Sequence, residues 1–91
     1  MQVALYAALR QKAGRKDVEV TAVPGGTVAD ALADLTRRHP ALREYVWRED
    51  GSYRNFVRVF LNGIDIRQLN GMATGIRPDD RLDIFTPVSG G

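Results

Sequence analysis

One stretch of this chain carries a helical period, and most of the rest carries a period of two. Val28, Ala31, Leu32 and Leu35 fall at the i, i+3, i+4, i+7 positions of a single helix face. Thr27 is a good N-cap, with Asp30 three residues later in a variant of the capping box. Asp30 and Asp34 lie early on the polar side, and Arg37, Arg38 and His39 lie late, an order that suits the helix dipole at both ends. Pro40 stops the helix. One principal amphipathic helix among alternating segments requires a sheet for its apolar face to cover.

The alternating segments supply that sheet. Residues 2–9 place Val3, Leu5, Ala7 and Leu9 on one side and Gln2, Ala4, Tyr6 and Ala8 on the other, which reads as a first strand. Residues 10–16 are polar, contain Gly14 and read as a hairpin loop. Residues 17–22 alternate again as a second strand antiparallel to the first, ended by Pro24-Gly25-Gly26. Residues 41–47 read as a short second helix with Leu42, Tyr45 and Val46 inward, and Trp47 reads as a plug at the edge of the core. A loop over residues 48–52 follows.

From Asn55 the alternation returns, with Val57, Val59 and Leu61 on one face and Phe56, Arg58 and Phe60 on the other. Asn62-Gly63 is the strongest short hairpin signal in the chain, and Ile64-Asp65-Ile66 is its short, edge-like return. Leu69-Asn70-Gly71-Met72 reads as a turn with an apolar anchor, and Arg77-Pro78-Asp79-Asp80 as another turn. Residues 81–85 make the last strand, with Leu82 and Ile84 inward. The expected fold is α+β: a mixed sheet of about five strands wrapped around one main helix, with a right-handed crossover through that helix.

Composition removes several classes of function. Ninety-one residues make one small domain, so residues 1–91 are expected to form a single unit with a flexible C-terminal tail over 86–91. The chain has no cysteine and one histidine, His39, which excludes disulfides, thiolate chemistry, a Ser–His–Asp triad and a histidine metal cluster. No metal site and no bound cofactor are expected. His39 reads as a C-terminal helix residue. A net charge of +2, with Lys12 and Lys16 the only lysines, argues for a solvated surface and against nucleic acid. No apolar run approaches the roughly 20 residues of a membrane span, and the N-terminus lacks the features of a signal peptide. A cytoplasmic protein is the expectation.

Two features remain to carry function. If one helix covers one face of the sheet, the other face meets solvent, and the alternation puts Tyr6, Ala8, Arg58, Phe60, Asp83 and Phe85 there. Three aromatics beside an arginine on such a face read either as a partner surface or as a cover over the sheet. The second feature is the ending Pro87-Val88-Ser89-Gly90-Gly91. Proline stiffens its start, and two glycines make a thin tip that can enter where a side chain would collide. Ending at Gly91, the tail is expected to need no trimming.

Together, Val59-Phe60-Leu61-Asn62-Gly63, residues 77–85 and Thr86-Pro87-Val88-Ser89-Gly90-Gly91 resemble the ubiquitin-like sulfur-carrier proteins of the β-grasp fold, the group that contains the small subunit of molybdopterin synthase. The resemblance covers essentially the whole chain in element order. It implies that the Gly91 carboxyl is adenylated by a ubiquitin-activating-type (E1-like) sulfurtransferase, which uses ATP and magnesium, and is then converted to a thiocarboxylate. Pro87, Val88, Ser89 and Gly90 would thread the tail into enzyme active sites, and Tyr6, Arg58, Phe60 and Phe85 would hold the partner.

The thiocarboxylate would deliver sulfur to an accepting enzyme. Residues 65–74 look like the longer variant of carriers that feed a pyridoxal-phosphate-dependent cysteine synthase. The large subunit of molybdopterin synthase is the alternative acceptor, followed by tRNA thiolation or covalent modification of lysines. A plain β-grasp interaction module without carrier chemistry is the reading from another class.

Overall fold

In the computed structural model, residues 1–23 and 25–86 are described. The expectations for Pro24 and for Pro87, Val88, Ser89, Gly90 and Gly91 therefore lie outside the described residues.

The sheet has five strands in the order β2-β1-β5-β3-β4, with β1 at Gln2–Leu5, β2 at Asp17–Glu19, β3 at Arg58–Leu61, β4 at Ile64–Asp65 and β5 at Arg81–Phe85. It is mixed: β1 runs antiparallel to β2 and parallel to β5, and β5 runs antiparallel to β3. The Asn62-Gly63 hairpin forms as its sequence requires, with φ +50° and +86° at the two central residues, the positive values of a type I′ turn.

Helix α2, Val28–Arg38, lies against the inner face of this sheet and buries Val28, Ala31, Leu32 and Leu35. Its capping box is complete: Thr27 Oγ1 accepts from the Asp30 amide, and the Asp30 carboxylate accepts from the Thr27 amide. Val3, Leu5, Val59, Leu82 and Ile84 meet it from the sheet, so the inward residues of three central strands and one helix form a single core. Beyond α2, a 3-10 turn over Pro40–Leu42 leads into α3, Arg43–Val46, with Leu42 and Val46 buried. Trp47 plugs the edge of the core, its indole Nε1 donating to Thr36 Oγ1 at 3.0 Å.

Several sequence expectations are corrected, the second strand among them, which ends at Glu19 and not at Ala22. Residues 7–13 are a helix, α1 (Ala7–Ala13), and not the end of a strand and the start of a loop. Strand β1 stops at Leu5, although the Tyr6 amide still donates to the Ile84 carbonyl at 3.2 Å. Ala7 then turns the chain with φ +52°, an uncommon conformation for an L-residue, and Gly14 ends α1 at φ +74°. Ala8 is accordingly buried beside α1's Leu9 and does not belong to the outer face. Strand β3 begins at Arg58 instead of Asn55, leaving Phe56 half-buried against the core. The return from the hairpin is also shorter, because Ile66 opens a 3-10 turn.

A further correction concerns Asp34, which is buried instead of facing water. Its carboxylate accepts from the Thr21 amide at 2.8 Å and from Arg38 Nε at 2.8 Å, and it pairs with Arg37. Arg38 Nη2 also donates to Thr21 Oγ1 at 2.7 Å, so the cluster ties the segment after β2 to the last turns of α2. Burial pushes the Asp34 carboxyl up, but the Thr21 amide and the two guanidiniums outweigh it and hold it below the ordinary aspartate value of 3.8.

A carboxyl depressed by folding stabilises the protein above its unfolded value, and the contribution disappears as pH falls through the folded value. Asp34→Asn is therefore expected to cost about 1–3 kcal/mol at neutral pH. It should also flatten the loss of stability below pH 4, as measured by urea unfolding over a pH series. An unchanged acid limb would assign that loss to other carboxylates.

Candidate functional site at the root of the last strand

The outer face of the sheet can be read from its register. Antiparallel and parallel partners directly opposite each other share a face. Phe85 pairs with Arg58, Asp83 pairs with Phe60 and with Ala4, and Phe60 pairs with Asp65. Tyr6 follows β1 one step beyond the Leu5–Ile84 pair and so stands beside Phe85. The structure thus brings together Tyr6, Arg58, Phe60 and Phe85, four residues that the alternation had placed on this face.

Their contacts are ordered. Phe60 and Phe85 stack with ring centroids 5.5 Å apart and planes 11° off parallel. Tyr6 meets Phe85 edge-on at 6.0 Å. Both geometries match the preferences of the aromatic quadrupole. The Arg58 guanidinium lies 5.7 Å from the Phe60 centroid, and Lys16 Nζ lies 5.6 Å from the Tyr6 centroid, so a cation sits at each end of the row. All four row residues are half-buried.

Polar groups fix the row from below. The Tyr6 hydroxyl donates to Asp83 Oδ1 at 3.1 Å, and Arg81 approaches the same carboxylate at 3.4 Å. Asp65 is shared: Arg67 donates its amide at 2.9 Å and its guanidinium at 3.0 Å, and Arg58 Nη2 donates at 3.2 Å. The Arg67 side chain and amide, with help from Arg58, hold the Asp65 carboxyl far below the usual carboxylate range.

Sequence reasoning missed Lys16 and the Asp65–Arg67 pair. Lys16 precedes β2 in a loop that no alternation covers, and the β1–β2 register places it, through the Leu5 amide donating to the Lys16 carbonyl at 2.6 Å. Thr86, the first residue beyond the strand, is buried at 1% exposure, which anchors the point from which residues 87–91 continue. Among the described residues, no group of three or more His, Cys, Asp or Glu side chains is arranged to hold a metal ion. Among the same residues, no helix is long and apolar enough to cross a membrane.

A five-stranded mixed sheet, one principal helix against it and an aromatic row at the root of the last strand define a ubiquitin-like β-grasp protein of the sulfur-carrier type. The chain belongs to the ThiS family, whose model matches residues 3–91. It is 37% identical to small archaeal modifier protein 1 of Haloferax volcanii over 91 residues, all of both chains. The crystal structure of that protein matches with a TM-score of 0.89 at 35% identity, covering 100% of this chain and 98% of the other.

The sulfur carrier protein CysO of Mycobacterium tuberculosis is 29% identical over 80 residues, 86% of this chain and 83% of that one. A crystal structure of the BexX/CysO complex of Amycolatopsis orientalis matches with a TM-score of 0.79 at 28% identity, covering 99% and 98%. The names of these relatives are those of a modifier and of a sulfur carrier.

Proposed function

We propose that this protein carries sulfur on the Gly91 carboxyl. A carboxylate is a poor electrophile, so the first step joins it to AMP. An E1-like enzyme would supply the ATP and magnesium, and this chain would bind neither. Attack by a sulfur nucleophile then displaces AMP and leaves a thiocarboxylate, which delivers sulfur to an accepting enzyme. Pro87, Val88, Ser89 and Gly90 lead the carboxyl into each active site.

The observation that carries this reading is the place of the aromatic row. Phe85 is the last residue of β5, and its neighbours across the register are Tyr6 and Arg58. An enzyme gripping that row has Gly91 within six residues, a reach of about 20 Å. The same grip would serve the activating enzyme and the acceptor in turn.

For the acceptor, the likeness to a CysO favours a pyridoxal-phosphate-dependent cysteine synthase, with the large subunit of molybdopterin synthase as the alternative. The likeness to small archaeal modifier protein 1 favours a second use of the same activated end, its transfer to lysine amines. Intact mass spectrometry separates these outcomes. Co-expression with the activating enzyme and a sulfur source is expected to add the mass difference between one sulfur and one oxygen. Adducts on lysines of other proteins would move the assignment to a modifier, and no change at all would remove both.

A further inference from the structure

Arg58 is the one member of the row whose polar groups are incompletely used. Its Nε is buried and meets no hydrogen-bond acceptor among the described residues, although Nη2 reaches Asp65 at 3.2 Å. A covered donor without an acceptor is a cost that folded proteins rarely keep. The side chain as a whole is open to solvent: it is 40% exposed, whereas the Asp65 side chain is only 14% exposed.

Asp65 does not depend on Arg58. Its two oxygens already accept from the Arg67 amide at 2.9 Å and from Arg67 Nε and Nη2 at 3.3 and 3.0 Å. If the Arg58 arm swung away, Asp65 would keep an ion pair and no buried charge would be stranded. Arg58 would at the same time free its Nε for an acceptor outside the chain. Guanidinium Nε and Nη donors together form a fork that matches a carboxylate better than any neutral acceptor.

From this we infer that Arg58 captures a carboxylate of the docking enzyme. On association the guanidinium leaves Asp65 to Arg67 and presents Nε and one Nη to an acidic side chain of the partner, while an apolar partner side chain covers Phe60 and Phe85. The occupant of the face is thus a protein segment that pairs an Asp or Glu with an apolar residue. Lys16, at the far end of the row and with no carboxylate within ion-pair distance among the described residues, adds a second cation for the same acidic segment. The inference rests on the carrier reading above.

The test uses the full chain and an activating enzyme of the ubiquitin-activating type from the same genome, followed by ATP–pyrophosphate exchange at varied carrier concentration. Arg58→Met keeps the aliphatic stem and removes the unmatched donor. It is expected to melt no lower than the parent and to raise the KM for the carrier about tenfold or more, with kcat little changed. Arg58→Lys keeps the charge without the fork and should recover only a minor part of that loss. The parent's KM should rise with added salt, and that dependence should weaken in Arg58→Met.

An unchanged KM in Arg58→Met, full recovery in Arg58→Lys, or a salt-independent KM would each overturn the assignment while exchange by the parent keeps the carrier reading intact. Absence of exchange with the parent protein would remove the carrier reading and this inference with it.

Discussion

Deleting Gly91 is expected to abolish adenylation and leave the melting temperature unchanged. The reacting atom in the proposed first step is the terminal carboxyl carbon, and removing one residue withdraws it by about 3.5 Å. Misplacement of a reacting group by even 1 Å costs roughly 10²-fold, so the shortened chain should show no detectable pyrophosphate exchange. The core, in contrast, is drawn from residues between Val3 and Ile84, and the deletion changes none of these residues. Differential scanning calorimetry and the exchange assay on the same sample check both halves. Retained exchange would show that the chemistry does not use the Gly91 carboxyl. A fall in melting temperature beyond about 4 °C, which corresponds to roughly 1 kcal/mol in a domain of this size, would give the tail a structural role.

The parts of the fold that could be read from sequence are those where polar and apolar residues contrast. Val57, Val59 and Leu61 against Arg58 and Phe60 define β3 and its two faces, and Leu82 and Ile84 against Arg81 and Asp83 define β5. The helix α2 is similarly marked by Val28, Ala31, Leu32 and Leu35 against Asp30, Arg37 and Arg38. The stretch that misled is Ala7-Ala8-Leu9, where small apolar residues occupy both phases and a period of two costs nothing to assume. Alanine, leucine, arginine, glutamine and lysine are all good helix formers, and that local preference outweighs an alternation without polar contrast. The turn at Ala7 itself, with φ +52°, has no sequence marker because glycine is absent there.

The same distinction separates the parts of the site. Tyr6, Arg58, Phe60 and Phe85 could be assigned to one face because each sits at or directly beside an alternating strand. Their joining into one row required the strand order, which local periodicity does not contain: β1 and β5 are neighbours in space, yet Tyr6 and Phe85 are 79 positions apart in the sequence. Asp34 shows the limit from the other side. A charged residue on the polar side of a helix is expected to face solvent, but the Thr21 amide and two arginines from its own helix make burial of Asp34 tolerable. Such compensation is a tertiary event, and it is invisible until β2 and α2 are placed together.

Phe85→Ser and Ile84→Ser should have opposite consequences, although the two residues are adjacent. Ile84 has no exposed surface and packs in the core between sheet and helix, so its replacement is expected to cost about 3–5 kcal/mol, a large share of the roughly 5–15 kcal/mol that holds a small domain together. Phe85 points to the other face, where it stacks on Phe60 and meets the edge of Tyr6. Losing those two ring contacts should cost only about 1–3 kcal/mol, leaving a folded domain. Its cost appears in association instead: a buried aromatic anchor at the centre of an interface contributes roughly 2–4 kcal/mol, which predicts a rise of about 30-fold to 1000-fold in the KM for the carrier. Circular dichroism and pyrophosphate exchange on both variants distinguish the faces. If Phe85→Ser unfolds as Ile84→Ser does, the aromatic row is a cover that completes the fold. If it folds and still exchanges at the parental KM, partners grip the domain elsewhere.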